Sequence, residues 1–491
     1  MKPSLQCRLK TILATLAASL CLLTCESQAD TYSKFYDFRN PTGYLPQGGV
    51  VVAGGRIYGT AARGGPAPSG LVYSVSTNGA DYTIVHAFAA DGSEGYGPNT
   101  GVTLVGVMLY GTTSGGEYAF GTWRGTVFRV ATNGANFAMV RPFAMDTSEG
   151  IPDGCGPLLE QAGTLFGVTP GGGLNGKGVI YSITTNGDFH LLHTFSDSLT
   201  DGSYPQAPLT VKGSTLYGTT SRGGAAGFGT VYSINTDGSG FAVLHNFAGY
   251  LGLTEPGVPM SGLTLGSAKL YGSTYYGGSN HVGTIFSMNL DGSAFTVLHQ
   301  LGTEPIDATD PSASPLTLVG NQLYGAYRGG GTNLGYGQFI GQGLLFHMNL
   351  DGSGFTPLHV FTGAPADGDG PWDGLTLAGN TLYGCTSFGG SSLYLGGSLF
   401  SYTLDRIPQS VPPPVLLIGT QTLPDSIGGL AIQVSITMTN LVPGTPYQLL
   451  RNPNLTTTNW TPSLIFTATN SFQIWRETHT DPAMFYRAQS P

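Results

Sequence analysis

The densest chemistry in the chain lies in one short run, Asp367-Gly368-Asp369-Gly370-Pro371-Trp372-Asp373. Hard cations such as Ca2+ need several oxygen ligands close together, and a sugar ring can lay its apolar C–H face on an indole. The run therefore nominates Asp367, Asp369 and Asp373 as cation ligands and Trp372 as a stacking surface. It lacks the full EF-hand loop pattern, so calcium is the one cofactor it suggests and its spacing does not require that ion.

The run belongs to a wider acidic pattern. Fourteen of the 28 carboxylates, among them Asp91, Glu94, Asp201, Glu255, Asp307 and Asp310, fall in stretches that join one sequence unit to the next. Basic residues Arg63, Arg124, Lys177, Arg222 and Arg328 stand in Gly-Gly loops nearby. Two readings follow. The bases could pair with carboxylates of adjacent units while the aspartates cap turns. Alternatively, acids, bases and loop aromatics could form a cation or sugar site on one acidic rim. On the second reading the ligand-binding candidates are Trp123, Arg222, Tyr276, Arg328 and Trp372. Tyr275 belongs to the same group of loop aromatics, which could equally pack between units.

Other reactive patterns are absent or misleading. His86, His193, His245, His299 and His359 recur at one unit position, but on an outermost strand they would point away from any common centre. A structural hydrogen-bonding role fits them better, and Arg141 fills the same position in the second unit. Gly171 to Gly178 approaches a phosphate-binding loop, yet the Ser/Thr for magnesium is missing and no helix follows. No Gly-x-Ser-x-Gly, His-Glu-x-x-His or Cys-x-x-Cys occurs. No catalytic residue is nominated.

The elements that must position these residues are written as a repeat. A hydrophobic residue, an aromatic and a glycine lead into a Gly-Gly loop, a Gly-(Thr/Val/Leu)-aromatic strand, an Asn/Asp-Gly turn and a strand ending His-x-Phe. Its anchor aromatics are Tyr58, Tyr110, Phe166, Tyr217, Tyr271, Tyr324 and Tyr383, with a mean spacing of about 54 residues, near the length of one four-stranded propeller blade. Each unit holds four short runs rich in β-branched and aromatic residues, and nothing after residue 30 has capped helical periodicity. The predicted fold is all-β. Asn78-Gly79, Asp237-Gly238 and their equivalents predict tight turns with positive φ at the central residues.

The seventh unit runs into Pro-rich sequence without a fourth strand, whereas Tyr32 to Phe38 resembles a fourth strand without a blade. Pairing the two closes a seven-bladed ring and leaves no exposed end. In such a meander the interunit connectors and the Gly-Gly loops share one rim. The longest and most variable loops are there, so any ligand is expected there too.

The ends add context. Lys2, Arg8 and Lys10 precede an apolar run from Leu13 to Leu23 and then Ser27-Gln28-Ala29, the pattern of a signal peptide over 1–29. The mature chain is expected to begin near Asp30 and to be exported, to the periplasm, the cell surface or the medium. No other apolar stretch is long enough to span a bilayer. The net charge of −9 disfavours nucleic acid as a partner and leaves a polysaccharide or a cell-surface protein as the expected kind. Cys155 and Cys385 fall in distant units, which argues against a disulfide. After the ring at 30–406 and a Pro-rich linker at 407–414, residues 415–491 alternate as a small β-sandwich would.

Leu109 to Gly116 and Leu216 to Gly224, with their Gly-Thr-Val-(Tyr/Phe) and Asp-Gly continuations, resemble the GloVer tandem repeat of exported bacterial proteins over about residues 33–405. That family brings no activity or catalytic residues to carry over. Leu441-Val442-Pro443-Gly444, Trp460 and the closing Phe485-Tyr486-Arg487 resemble a C-terminal module of such proteins, which implies a fibronectin-like spacer or attachment domain. The resulting expectation is an exported binding or surface-interaction scaffold without catalysis. A carbohydrate-active enzyme using connector carboxylates as acid and base is the alternative.

Overall fold

The computed structural model describes residues 30–405 except 116–124, 144–147, 153–155, 197, 250–254, 305, 312–314, 332–341 and 392–395, together with the backbone of the strands in 415–489. Trp123, Arg124, Cys155, the leader and the Pro-rich linker lie outside the described residues. No helix occurs among those described. The chain divides into two compact units at Ile407 and Pro408.

The first unit is a seven-bladed β-propeller, and blade 4 shows how the repeat builds a blade. Thr210–Lys212, Thr215–Thr220, Thr230–Asn235 and Ala242–Asn246 form one antiparallel meander, with Tyr217 opposite Ser233. The glycine after the anchor aromatic is there for space. A Cβ on Gly218 would lie 2.3 Å from the Tyr232 hydroxyl, and Gly59 and Tyr73, Gly167 and Tyr181, and Gly384 and Phe400 repeat that relation. The third-strand ring thus crosses the second strand where no side chain stands. Tyr73, Tyr181, Tyr232, Phe286 and Phe346 are fully buried as a result, each contributing about 1.5–3 kcal/mol by the area it removes from water.

Packing lies between blades. One core cluster joins Phe166, Ile180 and Phe195 of blade 3 to Leu209, Leu216 and Tyr232 of blade 4. A second glycine sets the blade spacing: Gly229, at φ +99, leaves room for Pro259 of the next connector, whose Cδ a Cβ would approach to 2.7 Å. Gly70 and Pro98, Gly178 and Pro205, Gly343 and Pro371, and Gly397 and Pro46 do the same. Innermost strands are joined by side chains, because Thr103, Thr264, Thr317 and Thr376 each donate a hydroxyl to the carbonyl just before the neighbouring blade's first strand.

The last of those bonds, Thr376 to Val50, already crosses from blade 7 to blade 1. Thr31–Asp37 then completes blade 7 by pairing antiparallel with Ser398–Thr403, in a register that sets Thr31 opposite Thr403 and Ser33 opposite Ser401. Phe38 N donates to Gly397 O at 2.9 Å where the strand ends. The ring is closed by the N-terminal strand, as the orphan fourth strand predicted.

A belt of stacked side chains runs round the outside. His86 stacks on Phe137 with ring centroids 3.6 Å apart, His193 on Phe241 at 3.8 Å, His245 on Phe295 at 4.0 Å and His299 on Phe355 at 4.2 Å. Arg141 lies 4.8 Å over Phe189. The closing strand supplies the remaining two members, His359 on Tyr32 at 3.4 Å and Tyr36 on Tyr82 at 4.8 Å. Each junction between outermost strands therefore carries one flat contact.

The hairpin turns differ from expectation in one respect. Of each Asx–Gly pair only the glycine takes positive φ, as with Gly238 at 85°, and its N–H donates to Asn235 O at 2.9 Å, while a second left-handed residue follows two positions on, as at Gly240, Asp81, Asn136 and Ala294. The loop is a type I turn closed by a left-handed glycine, and Asp237 stays right-handed while its Oδ1 accepts the Ser239 N–H at 2.9 Å.

In the second unit, Leu430–Thr439 pairs with Val415–Pro424 and Phe472–His479, and Pro446–Asn452 with Thr461–Thr467 and Phe485–Gln489. It holds two three-stranded antiparallel sheets.

Candidate functional site

Connectors and Gly-Gly loops do share a rim, and they hydrogen-bond to each other there. Gly202–Ser203 pairs with Arg222–Gly223, Asp307–Thr309 with Gly329–Gly331, and Gly368–Pro371 with the end of the second strand of blade 7. The connector carboxylates are placed by this pairing.

Five of the described ones clamp the fourth strand instead of pairing with loop bases. The acid lies eight residues beyond the fourth-strand His or Arg: Glu94 bonds His86 at 3.1 Å, Asp201 bonds His193 at 3.1 Å, Asp307 bonds His299 at 3.2 Å and Asp367 bonds His359 at 2.7 Å. Glu149 takes Arg141 in the same way. The acids also accept backbone N–H groups of the turn that leads up to them and of the residue that follows, as Asp201 does from Ser196 at 2.9 Å and Gly202 at 2.8 Å. Burial pushes the Asp201 and Asp367 carboxyls up, but the histidine and its companion donors outweigh it and hold both below the usual carboxylate range. Burial pushes His86 down, with Glu94 opposing, and pushes His245 down. The histidines thus serve in hydrogen bonds and stacks at the blade junctions.

The three proposed cation ligands do not converge. Asp367 is engaged by His359, by the Tyr32 hydroxyl at 2.6 Å and by Gly368 N at 2.8 Å. Asp369 feels Arg328, although burial keeps its carboxyl raised. Asp373 accepts Gly49 N at 2.5 Å and Gly374 N at 2.7 Å, beside the buried Cys385 thiol, whose Sγ contacts Gly48 O at 3.3 Å. Among the described residues no group of three or more His, Cys, Asp or Glu is arranged to hold a metal ion. The oxygen-rich run thus places its three acids in three separate environments.

Asp373 gives a pH signature. Burial pushes its carboxyl from 3.8 to about 6, against the two N–H donors. A carboxyl raised on folding favours the folded state at low pH and loses that advantage as pH rises through its folded value. Wild-type stability relative to Asp373→Asn is therefore expected to fall by on the order of 3 kcal/mol between pH 4 and pH 7, measured by urea unfolding. A pH-independent difference contradicts this.

The ligand-binding candidates separate into two places. Arg222 lies 5.3 Å from the Tyr204 ring centroid, which Lys177 also approaches, at 5.4 Å. Arg328 and Trp372 come together elsewhere, the guanidinium carbon 4.7 Å over the indole, with Asp310 at 3.9 Å from the guanidinium. Tyr276 meets Tyr275 edge-on at 4.9 Å. Burial first, then Asp310, raises the Tyr275 phenol, with Arg328 opposing, so Tyr275 feels both of their charges. The cluster spans the rim of blades 5 to 7 and consists of Tyr275, Asp310, Arg328, Asp369 and Trp372.

Asp310 escaped the sequence shortlist, although a signal was present. It is the residue before a connector proline, where other units carry Leu45, Gly97, Tyr204, Val258 and Gly370. It is the only acid at this position, it holds φ 52, and it is 4% exposed.

No curated protein matches the sequence. Among solved structures, a prolyl endopeptidase is 10% identical with a TM-score of 0.42, covering 90% of this chain, which spans only 61% of that chain. A europium-containing methanol dehydrogenase is 10% identical with a TM-score of 0.41, covering 76% of this chain and 93% of its own. The tricorn protease is 12% identical with a TM-score of 0.30, covering 83% of this chain and 43% of its own. Likenesses of this size carry no inference about chemistry. The family model described as the Gloeobacter/Verrucomicrobia repeat matches residues 267–410, so the last blades of this propeller carry that repeat.

Proposed function

We propose that the chain is an exported, non-catalytic binding scaffold whose ligand sits on the rim of connectors and Gly-Gly loops. One observation carries the reading: Glu94, Glu149, Asp201, Asp307 and Asp367 are engaged by fourth-strand bases. Carboxylates so engaged clamp blades and are not poised as an acid–base pair. The second unit then acts as a spacer or attachment module, and amino-terminal sequencing of the exported protein should begin near Asp30.

A glycoside-cleaving reading draws on Asp369, whose raised carboxyl stands near Arg328 and so near Trp372. Both are tested by incubating the full chain with a panel of insoluble and soluble polysaccharides. The scaffold reading predicts retention on a polysaccharide with no new reducing ends and no unsaturated products. Cleavage that disappears in Asp369→Asn would establish the enzymatic reading.

A further inference from the structure

Resting on the binding reading above and deepening it, we infer that the Tyr275–Asp310–Arg328–Asp369–Trp372 cluster is a subsite for one ring of a neutral carbohydrate. The fold does not require these side chains. Tyr275 N and Arg328 N donate to Val258 O at 3.0 Å and to Asp310 O at 3.3 Å. Ala62, Ser114 and Ser221 make the same backbone bond to their connectors, at 3.1, 3.2 and 3.1 Å, with small side chains. In a repeat protein each blade solves the same packing problem, so a Tyr and an Arg at a backbone position that other blades fill with Ala62, Ser114 or Ser221 answer some other demand. Side-chain exposure of 40% leaves the Arg328 guanidinium within reach of a ligand.

Charge chooses among ligand classes. Asp310 lies 3.9 Å from the guanidinium, and the charge of Arg328 also acts on the Asp369 carboxyl, so two acids share one base and the cluster disfavours an anionic sugar or a phosphate. That guanidinium likewise disfavours a metal ion between the two acids. An apolar ligand would desolvate Arg328 and Asp369 without returning hydrogen bonds. A neutral polyol ring satisfies every group: its hydroxyls donate to the carboxylates, its oxygens accept from Arg328, and its C–H face lies on Tyr275 or Trp372.

The test titrates the full chain with cellohexaose, xylohexaose, mannohexaose and maltohexaose, and with a galacturonic acid hexamer, by calorimetry. Tyr275→Ser installs the residue that blades 2, 4 and 7 carry at this position as Ser114, Ser221 and Ser387, so its melting temperature should stay unchanged. Arg328→Ser is the second variant. The inference predicts binding of at least one neutral hexamer, weakened at least about tenfold by each variant, and none of the acidic hexamer. Binding of the acidic hexamer alone overturns the ligand class, and neutral binding indifferent to both variants overturns the site, while either leaves the scaffold reading intact. No binding of any hexamer overturns the inference. Cleavage of a hexamer overturns the scaffold reading but not the subsite.

Discussion

A chain starting directly after Asp37 is expected to lose cooperative unfolding at room temperature. Thr31–Asp37 contributes a full outermost strand to blade 7, and its aromatic side chains join three packing groups: Tyr32 on His359, Phe35 against Tyr383, and Tyr36 on Tyr82. Burial of such side chains is worth about 1.5–3 kcal/mol each. Together with the strand's hydrogen bonds, the loss approaches the total stability of about 5–15 kcal/mol expected of a folded domain. Removal also exposes Ser398–Thr403 as an unpaired edge, which invites association. Calorimetry of the shortened chain should show a broad or absent transition, with aggregation on warming. A melting temperature within about 2 °C of the intact protein would mean that the strand is not the closure.

Asp367→Ala is expected to be among the most damaging single substitutions, costing about 3–5 kcal/mol. The side chain holds His359, the Tyr32 hydroxyl and the backbone N–H groups of Thr362 and Gly368. Truncation leaves those donors without their acceptor in a buried place, and two of them belong to the stack that joins blade 6 to the closing strand. The pH dependence has a definite sign. The carboxyl is held below 3.8, so its contribution is complete above that pH and fades as pH falls through the lower folded value. The wild type and Asp367→Ala should converge in stability at strongly acid pH. Asp351→Ala, in an exposed hairpin turn, serves as the control and should change stability by no more than about 0.5 kcal/mol.

Asp367 also shows where reading the sequence succeeds and where it stops. The blade was legible because its demands are local. A glycine beneath Tyr232, a left-handed Gly238 and a fourth-strand His recur at fixed offsets, and periodicity exposes them. The closure was legible as arithmetic, a missing strand at one end and a spare one at the other. The partners of Asp367 were not. Three acids within seven residues suggest convergence, yet one of its partners, Tyr32, is 335 residues away and no local pattern points to it. Aligning connectors with fourth strands would have helped, since the acid stands eight residues past the His or Arg in five of the units. That alignment turns a candidate cation site into a blade clamp.

The rim cluster was half legible. Arg328 and Trp372 were singled out for their chemistry and do meet. Arg222 was singled out on equal grounds and sits over Tyr204 in another sector, because the spacing within a unit does not say which units face the same ligand. Asp310 required comparison across units at the position before the connector proline. In a repeat fold, departures from the repeat are the better guide to a site than the density of reactive residues.

Closure of the ring underlies the assignment of loops to rims and hence every site described above. Ser33 and Ser401 are direct cross-strand partners, so their replacement by cysteine in one chain gives the most direct test. Under mild oxidation the Ser33→Cys/Ser401→Cys protein should form an intramolecular disulfide, seen by mass spectrometry as a peptide pair joining the first strand to the last blade. Two thiols that remain open to alkylation in the folded protein would contradict the closed disc.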